Sequence, residues 1–389
     1  MAAVEFRNVD IIFGEKPERA LALLDQGLDR EKILAETDNV LGVADASISI
    51  EEGEICVLMG LSGSGKSTLL RAVNGLNPVT RGEVIVKDND RDVDVVTCDA
   101  KTLRRLRMNR ISMVFQQFAL LPWRTVHENV GLGLELSGMN KVERDAIVDE
   151  KLKLVNLEQW RDKFAHELSG GMQQRVGLAR AFATDADILL MDEPFSALDP
   201  LIRTHLQDEL LELQRSLNKT IIFVSHDLDE ALKLGTHIAI LEGGRIVQYG
   251  VPEQIVLNPA NEYVANFVAH MNPLNVLRGG SLMTPLGDLP CNGDTIDLDS
   301  RGYFQVTLDS GGAPLKASSD GVVARIVPLT FPFDALSLSE DEFAAVPVDI
   351  LMRNAVEILN ATKAPLMLLD DGKLAGTIGE EEIYRGILR

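Results

Sequence analysis

A glycine-rich segment at residues 60–68 carries the clearest chemical signal in the sequence. It follows an apolar run and leads into a helical pattern, which is the context that a phosphate-binding loop requires. Its glycines let backbone N–H groups converge on phosphate oxygens at a helix N-terminus, Lys66 would add a charge near the β and γ phosphates, and Ser67 would ligate Mg²⁺. The predicted nucleotide contacts are Gly60, Ser62, Gly63, Ser64, Gly65, Lys66, Ser67 and Thr68.

Two adjacent carboxylates follow a second apolar run, Ile188–Met191. Because side chains alternate along a strand, Asp192 and Glu193 would point in different directions. Asp192 would hold Mg²⁺, and Glu193 would act as the base for a water that attacks a phosphate. Without the phosphate loop, such a strand end would more often be a helix N-cap or a solvated turn.

A mostly parallel β-sheet with flanking helices would bring these segments together. Helical patterns such as Leu201–Leu217 separate the apolar runs, and this spacing is typical of an α/β fold. A charged helical segment, Glu18–Thr37, is broken near Gly27 and could equally be a solvated surface hairpin. Unbroken apolar runs, typical of strands buried on both faces, occur at 55–59, 111–115, 188–191, 221–224 and 238–241.

The chain length and the positions of glycine and proline residues predict two domains. A chain of 389 residues corresponds to two or three domains at about 150 residues each. Glycines and prolines interrupt the apolar runs after Asn272, which gives an N-terminal domain at 1–272 and a C-terminal domain at 273–389. The elements predicted in the second domain are a helix at Val348–Leu359, strands at Leu366–Leu369 and Leu374–Ile378, and a closing helix.

Composition limits the possible partners. The chain has 38 Lys and Arg against 59 Asp and Glu, and its net charge of −21 argues against general binding to nucleic acid or anionic lipid. Three cysteines at no metal-like spacing predict a reduced intracellular protein without a zinc site or disulfide framework. We find no secretory signal and no apolar run near the ~20 residues that cross a bilayer. Membrane association would therefore run through another protein.

Several further motifs, in the expected order, resemble those of ABC-transporter ATPases. The resemblance covers about Val4 to Met271 and implies an α/β P-loop NTPase of ABC-ATPase type. Such a domain has a RecA-like core, an antiparallel β subdomain and a helical signature subdomain. The motifs are Gln116 of a Q-loop, the signature Leu168-Ser169-Gly170-Gly171-Met172-Gln173-Gln174-Arg175, the D-loop Ser196-Ala197-Leu198-Asp199, and the switch histidine His226.

The resemblance implies ATP sites shared between two chains. In this family two domains pair head to tail, and ATP lies between one phosphate loop and the partner's signature motif. Ser169, Gly170, Gly171 and Asp199 would therefore contact nucleotide in trans in a homodimer. Phe13 stands where the family places an aromatic residue against adenine, although it could also be a plain core aromatic.

The resemblance also assigns catalytic and metal-binding roles, with ATP and Mg as cofactors. The implied catalytic residues are Glu193, His226 and Gln116, and the implied Mg ligands are Ser67, Gln116 and Asp192. A soluble ABC ATPase of DNA repair or translation would need a coiled-coil insert, tandem domains or a basic track, and we see none. The presence of Lys66 and Glu193 disfavours a non-hydrolysing nucleotide sensor.

Four segments resemble the importers of quaternary amines: glycine betaine, proline betaine and choline. They are Phe13–Pro17, Met59–Lys66, Phe195–Arg203 and Val224–Ala231. The resemblance implies a subunit that powers import of choline or glycine betaine, with choline narrowly favoured. It implies permease partners and, indirectly, a periplasmic binding protein, on the cytoplasmic side of the bacterial inner membrane. Trp123, after the Q-loop, would contact the permease, whereas His166 is best explained as a polar surface residue.

The C-terminal region resembles the CBS repeats that commonly end these importer subunits. Only Asp349–Leu388 resembles one repeat well, and the preceding repeat looks degenerate. CBS ligands usually bind between paired repeats. The region is therefore expected to be a small CBS-like α+β domain that either regulates transport or forms a structural tail.

Overall fold

The computed structural model describes residues 1–269, 272–329, 338–340 and 342–387. It divides the chain into two compact units, Met1–Val268 and Ala269–Arg389. Two predicted limits, the end of the ATPase resemblance at Met271 and the end of the CBS-like repeat at Leu388, lie outside the described residues. In the described ranges no helix is both long and apolar enough to cross a membrane.

The first unit contains two sheets and their flanking helices. Its strands are β1 (Ala2–Phe13), β2 (Val40–Glu51), β3 (Ile55–Met59), β4 (Arg81–Asp88), β5 (Arg91–Asp94), β6 (Ile111–Val114), β7 (Ile188–Asp192), β8 (Thr220–Val224), β9 (His237–Glu242) and β10 (Arg245–Gly250). Its helices are α1 (Pro17–Asp25), α2 (Arg30–Thr37), α3 (Lys66–Val73), α4 (Ala100–Asn109), α5 (Val126–Val130), α6 (Leu132–Leu136), α7 (Lys141–Leu154), α8 (Gly170–Ala183), α9 (Pro200–Leu217), α10 (Leu228–Leu234), α11 (Pro252–Leu257) and α12 (Glu262–Val268).

The larger sheet confirms the predicted, mostly parallel α/β core. Its strand order is β10-β9-β3-β8-β7-β6, and only the edge strand β10 runs antiparallel to its neighbour. Every residue of β3, β7 and β8 is buried, as expected for strands covered on both faces. Because these three strands are parallel and adjacent, the segments that follow them meet at one edge of the sheet.

The smaller sheet is antiparallel, in the order β2-β1-β4-β5, and carries the charged insert between its first two strands. The insert is helical, as predicted, and is more than a solvated hairpin. Ala20 of α1 and Ile33 of α2 are fully buried against Ile12 and Leu41 of the two strands. The break between the helices spans Gly27, as the sequence indicated.

The second unit is rich in β structure. Its described residues form a nine-stranded sheet in the order β11-β19-β18-β17-β16-β15-β14-β13-β12, and among them only the β16–β17 and β17–β18 pairs are parallel. The strands are β11 (Thr284–Pro285), β12 (Cys291–Asn292), β13 (Thr295–Asp297), β14 (Phe304–Leu308), β15 (Pro314–Ser319), β16 (Val322–Pro328), β17 (Glu342–Pro347), β18 (Leu366–Asp370) and β19 (Lys373–Ile378), and the helices are α13 (Gly279–Leu282), α14 (Met352–Thr362) and α15 (Glu380–Ile387).

The predicted bounds of one helix in this unit are wrong, because the helix expected at Val348–Leu359 spans Met352–Thr362. The carbonyl oxygens of Val348 and Ile350 accept hydrogen bonds from the backbone N–H groups of Gly280 and Gly279, both at 2.7 Å. These long-range bonds engage carbonyls that a helical first turn would use, and they override the local pattern.

Candidate nucleotide-binding site

The phosphate loop joins β3 to α3 in a conformation that depends on glycine. Gly65 precedes α3 with a φ of 100°, and a Cβ on it would collide with the backbone oxygen of Gly42. Gly60, with a φ of 142°, is similarly confined beside the carbonyl of Leu241. The backbone can therefore approach a ligand closely at the N-terminus of α3, where N–H groups favour an anion.

Lys66 is buried within this loop. Its Nζ donates to the backbone oxygens of Gly60 at 2.8 Å and Leu61 at 2.9 Å. Burial lowers the pKa of Lys66, and the nearby carboxylates of Glu193 and Asp192 oppose that shift. The ammonium group thus lies among loop carbonyls and beside two acids, where it can neutralise an incoming phosphate.

Asp192, at the end of β7, is fully buried and uses both carboxylate oxygens. Ser67 Oγ donates to Oδ1 at 2.6 Å, and Arg71 Nη2 donates to Oδ2 at 2.7 Å. Both donors lie on α3, so this helix carries one end of the phosphate loop and the two partners of the acid. The structure therefore brings together Ser67 and Asp192, two of the predicted Mg ligands.

Glu193 is held in an unusual backbone conformation. Its φ is 50°, in the left-handed region that costs a non-glycine residue roughly 1–2 kcal/mol. Its carboxylate accepts a hydrogen bond from Gln116 Nε2 at 3.3 Å and faces His226 Nδ1 at 3.4 Å. The structure thus joins the three residues predicted to be catalytic, and a strained backbone maintained by its surroundings is a common feature of functional sites.

Sequence reasoning missed two supporting residues, Arg71 and Gln174. Gln174 is buried on α8; its Nε2 donates to the backbone oxygen of Glu193 at 3.1 Å, and its Oε1 accepts from the N–H of Ala197 at 3.1 Å. It therefore links the signature helix to the segment after β7. Gln174 could have been found from its position inside the signature motif. For Arg71 the sequence offered only its place on the helix that follows the phosphate loop.

Ser169 of the signature motif and Asp199 of the D-loop make their hydrogen bonds to their own helices, and none of the described bonds joins them to this chain's phosphate loop. Ser169 caps α8 by accepting from the N–H of Met172, and Asp199 caps α9 in the same way. Ser169, Gly170 and Asp199 are exposed, and a Cβ on Gly170 would meet no atom within 4 Å. Gly171 is closer packed, since a Cβ there would lie 3.1 Å from the carbonyl of Ala197.

Phe13 ends β1 beside the start of α3. A Cβ on Gly42 would lie 2.8 Å from its ring and 3.1 Å from Thr68 Cγ2, so the ring lies close to the end of the phosphate loop. The side chain is 38% exposed, more than expected for a plain core aromatic. The loop residues Ser62 and Gly63 are also exposed, whereas Ser64 is buried.

The oxygen ligands at this edge fit a hard cation with few protein ligands. Ser67 donates its proton to Asp192, which leaves the hydroxyl lone pairs available. Over the described ranges, no cluster of three or more His, Cys, Asp or Glu side chains could hold a metal by itself. Mg²⁺ usually takes one or two protein oxygens together with phosphate and water, which agrees with this donor set.

Known proteins resemble this chain in sequence and in fold. Residues 43–196 match the family model of ABC transporters. The chain is 53% identical over 264 residues to the glycine betaine/proline betaine transport system ATP-binding protein ProV of Escherichia coli, covering 68% of this chain and 65% of ProV, slightly under two thirds of that protein. It is 40% identical over 379 residues to the glycine betaine transport ATP-binding protein OpuAA of Bacillus subtilis, covering 95% of this chain and 88% of OpuAA.

A solved structure extends the comparison to three dimensions. The dimeric structure of MJ0796, a bacterial ABC transporter cassette, superposes with a TM-score of 0.55 at 30% identity and covers 64% of this chain and 98% of that cassette. The predicted family is therefore confirmed by sequence and by fold. The chain belongs to the family of ABC-transporter ATP-binding subunits.

Proposed function

We propose that the chain hydrolyses ATP to power import of a quaternary amine through a membrane permease. The observation that carries this proposal is the position of the Glu193 carboxylate, which contacts Gln116 and His226 and directly follows Asp192, the buried acid bonded to Ser67. Lys66 and the loop N–H groups bind and neutralise the β and γ phosphates. Glu193 orients the attacking water and accepts its proton, and His226 helps to hold that carboxylate in place.

We propose that Ser67, Asp192 and Gln116 hold Mg²⁺ together with the nucleotide. When bound, the ion neutralises charge on the phosphate oxygens. The short bond from Ser67 to Asp192 fixes the orientation of the hydroxyl, and Arg71 fixes the other oxygen of the acid. This assignment uses oxygen ligands, the type that Mg²⁺ prefers.

We propose that two chains form a homodimer with composite ATP sites. The exposed N-terminus of α8, with Ser169 and Gly170, is oriented to receive a negatively charged group from outside its own chain. In the dimer the γ-phosphate would lie between Lys66 and the partner subunit's Ser169. Hydrolysis would remove the contacts that join the two chains, and the dimer would open.

The permease-binding surface is proposed to include Trp123, which is 70% exposed. The fully buried Asn129 bonds to the loop that presents it. Its amide Nδ2 donates to the carbonyls of Leu121, Arg124 and Thr125 at 2.9–3.2 Å, and its Oδ1 accepts from the N–H of Leu121. A large apolar side chain displayed on a fixed loop is suited to a protein partner. Through such a partner the chain would lie on the cytoplasmic side of the bacterial inner membrane.

For the substrate we propose glycine betaine, with choline as the alternative. The two relatives described above are named for betaine transport, and these names move our preference away from choline. We further propose that the domains are 1–272 for the ATPase and 273–389 for a CBS-like regulator. The strand-turn-strand pair β18–β19 and its flanking helices α14 and α15 support one repeat.

Reconstitution with a partner permease tests the function. The 389-residue chain would be placed in vesicles together with a quaternary-amine permease and its substrate-binding protein. We expect ATP-dependent accumulation of labelled glycine betaine and weaker uptake of choline. Glu193→Gln is the matched inactive control. ATP hydrolysis without uptake of either amine would reject the transport proposal while leaving the ATPase assignment intact.

A further inference from the structure

The phosphate loop accepts a hydrogen bond from a side chain outside the known motifs. Arg30, the first residue of α2 in the helical insert, donates from Nη1 to the backbone oxygen of Gly63 at 2.6 Å. Gly63 has a φ of 78°, and a Cβ on it would meet no atom within 4 Å. Side-chain packing therefore does little to fix this exposed part of the loop, and the bond from Arg30 assumes that role.

Arg30 projects from a firmly anchored base. The side chain of the preceding residue, Asp29, caps α2 by accepting from the N–H of Lys32 at 2.9 Å. On the same helix, Ile33 is fully buried and packs in the cluster that joins the insert to β1 and β2. The insert can thus transmit the rigidity of the antiparallel sheet to the phosphate loop.

The bond also helps to fix the direction of the neighbouring N–H group. Because a peptide unit is planar and trans, a Gly63 carbonyl directed at Arg30 turns the N–H of Ser64 to the opposite side. That N–H donates to the backbone oxygen of Leu61 at 3.2 Å, so the two bonds hold this peptide unit from opposite sides. Inward N–H groups are the ones that bind phosphate, and the guanidinium adds positive charge nearby.

We propose that Arg30 is a positioning residue that holds the phosphate loop in its nucleotide-binding conformation. The inference rests on the proposed ATPase function and assigns the helical insert a part in ATP affinity. Arg30 acts through the Gly63 peptide, while the groups around Glu193 remain in place. Its loss should therefore weaken nucleotide binding more than it slows the chemical step.

The test uses the full-length chain with Arg30→Ala, Arg30→Lys and Arg30→Gln. Arg19→Ala is the matched control, because Arg19 is an exposed arginine on α1 of the same insert. ATP affinity is measured by calorimetry, and KM and kcat by phosphate release. We expect Arg30→Ala to weaken ATP binding and raise KM by about tenfold, the factor that corresponds to ~1.4 kcal/mol, with kcat changed by less than about threefold.

The conservative variants separate a hydrogen bond from general charge. Arg30→Lys keeps a charged donor and should recover most of the affinity, Arg30→Gln should recover part, and Arg19→Ala should match wild type. An Arg30→Ala chain with wild-type affinity and KM overturns the inference, as does an equal loss in Arg19→Ala. If Arg30→Ala greatly lowers the melting temperature and the variant regains ATP affinity on cooling, Arg30 has only a structural role and the inference is also overturned. If the wild-type chain neither binds nor hydrolyses ATP, the proposed function fails as well.

Discussion

Replacing Glu193 by Gln tests the proposed chemistry with little structural disturbance. Gln has nearly the same shape and keeps an oxygen that can accept from Gln116 Nε2, now 3.3 Å from the carboxylate. It can also adopt the left-handed backbone at a similar cost, so the free energy of unfolding should change little. What the substitution removes is the ability to accept a proton from water.

A positioned general base contributes typically about 10²–10⁴ in rate. We therefore expect kcat to fall by roughly that factor, or about 2.7–5.4 kcal/mol in activation free energy. Affinity for ATP should stay within about threefold of wild type, because Lys66 and the loop are unchanged. Nucleotide would then persist at the proposed dimer interface, and light scattering should detect an ATP-dependent dimer.

The assay compares phosphate release at saturating ATP with binding measured by calorimetry. Glu212→Gln is the control, because Glu212 is an exposed acid on α9. This variant should retain wild-type kcat. A Glu193→Gln chain that hydrolyses ATP within about threefold of the wild-type rate would refute the assignment of Glu193 as the base.

Three other experiments examine the loop, the interface and the pH response. Lys66→Ala should weaken ATP binding at least tenfold by calorimetry, because it removes the buried cation; unchanged affinity would contradict its role. Mixing Ser169→Arg with Lys66→Ala chains gives heterodimers in which one composite site carries both substitutions and the other carries neither. Phosphate release should therefore be higher in the mixture than in either variant alone, whereas the same activity in separated monomers would exclude shared sites. Burial raises the pKa of Glu230 on α10. Protonated Glu230 therefore stabilises the fold below the ordinary carboxyl pKa, and this contribution is lost as pH rises through the raised pKa. Between pH 4.5 and 7.5, the melting temperature of Glu230→Gln should therefore decrease less than that of the wild type. Parallel curves of melting temperature against pH for the two proteins would show that Glu230 is not the source of this pH dependence.

Local sequence patterns predicted the parts of the site that neighbouring residues determine. The glycines around Lys66 dictate the loop, and the apolar run before Asp192 dictates a buried strand with acids at its end. The meeting of these two segments also followed, because parallel strands end at one edge of a sheet. The insert was predicted as two helices for a similar reason: its break is marked locally by Gly27.

Contacts between distant segments could not be predicted in this way. Arg71 and Asp192 are 121 residues apart, and their bond depends on how α3 packs against β7. Gln174 reaches Glu193 only because the signature helix lies beside the segment after β7. The late start of α14, at Met352, has the same origin, since hydrogen bonds from Gly279 and Gly280 outweigh local helical preference.

The hydrogen bonds around the phosphate loop constrain how it can gain affinity. Lys66 Nζ already bonds to two loop carbonyls, and the N–H of Ser64 bonds to Leu61. A phosphate must exchange these bonds for its own, so binding gains only the difference between charge-assisted and neutral hydrogen bonds. Ser67 differs, because its hydroxyl can continue to donate to Asp192 while its lone pairs face a cation. Under this argument the metal side of the site is preorganised, and the affinity for phosphate depends on groups that hold the loop from outside, such as Arg30.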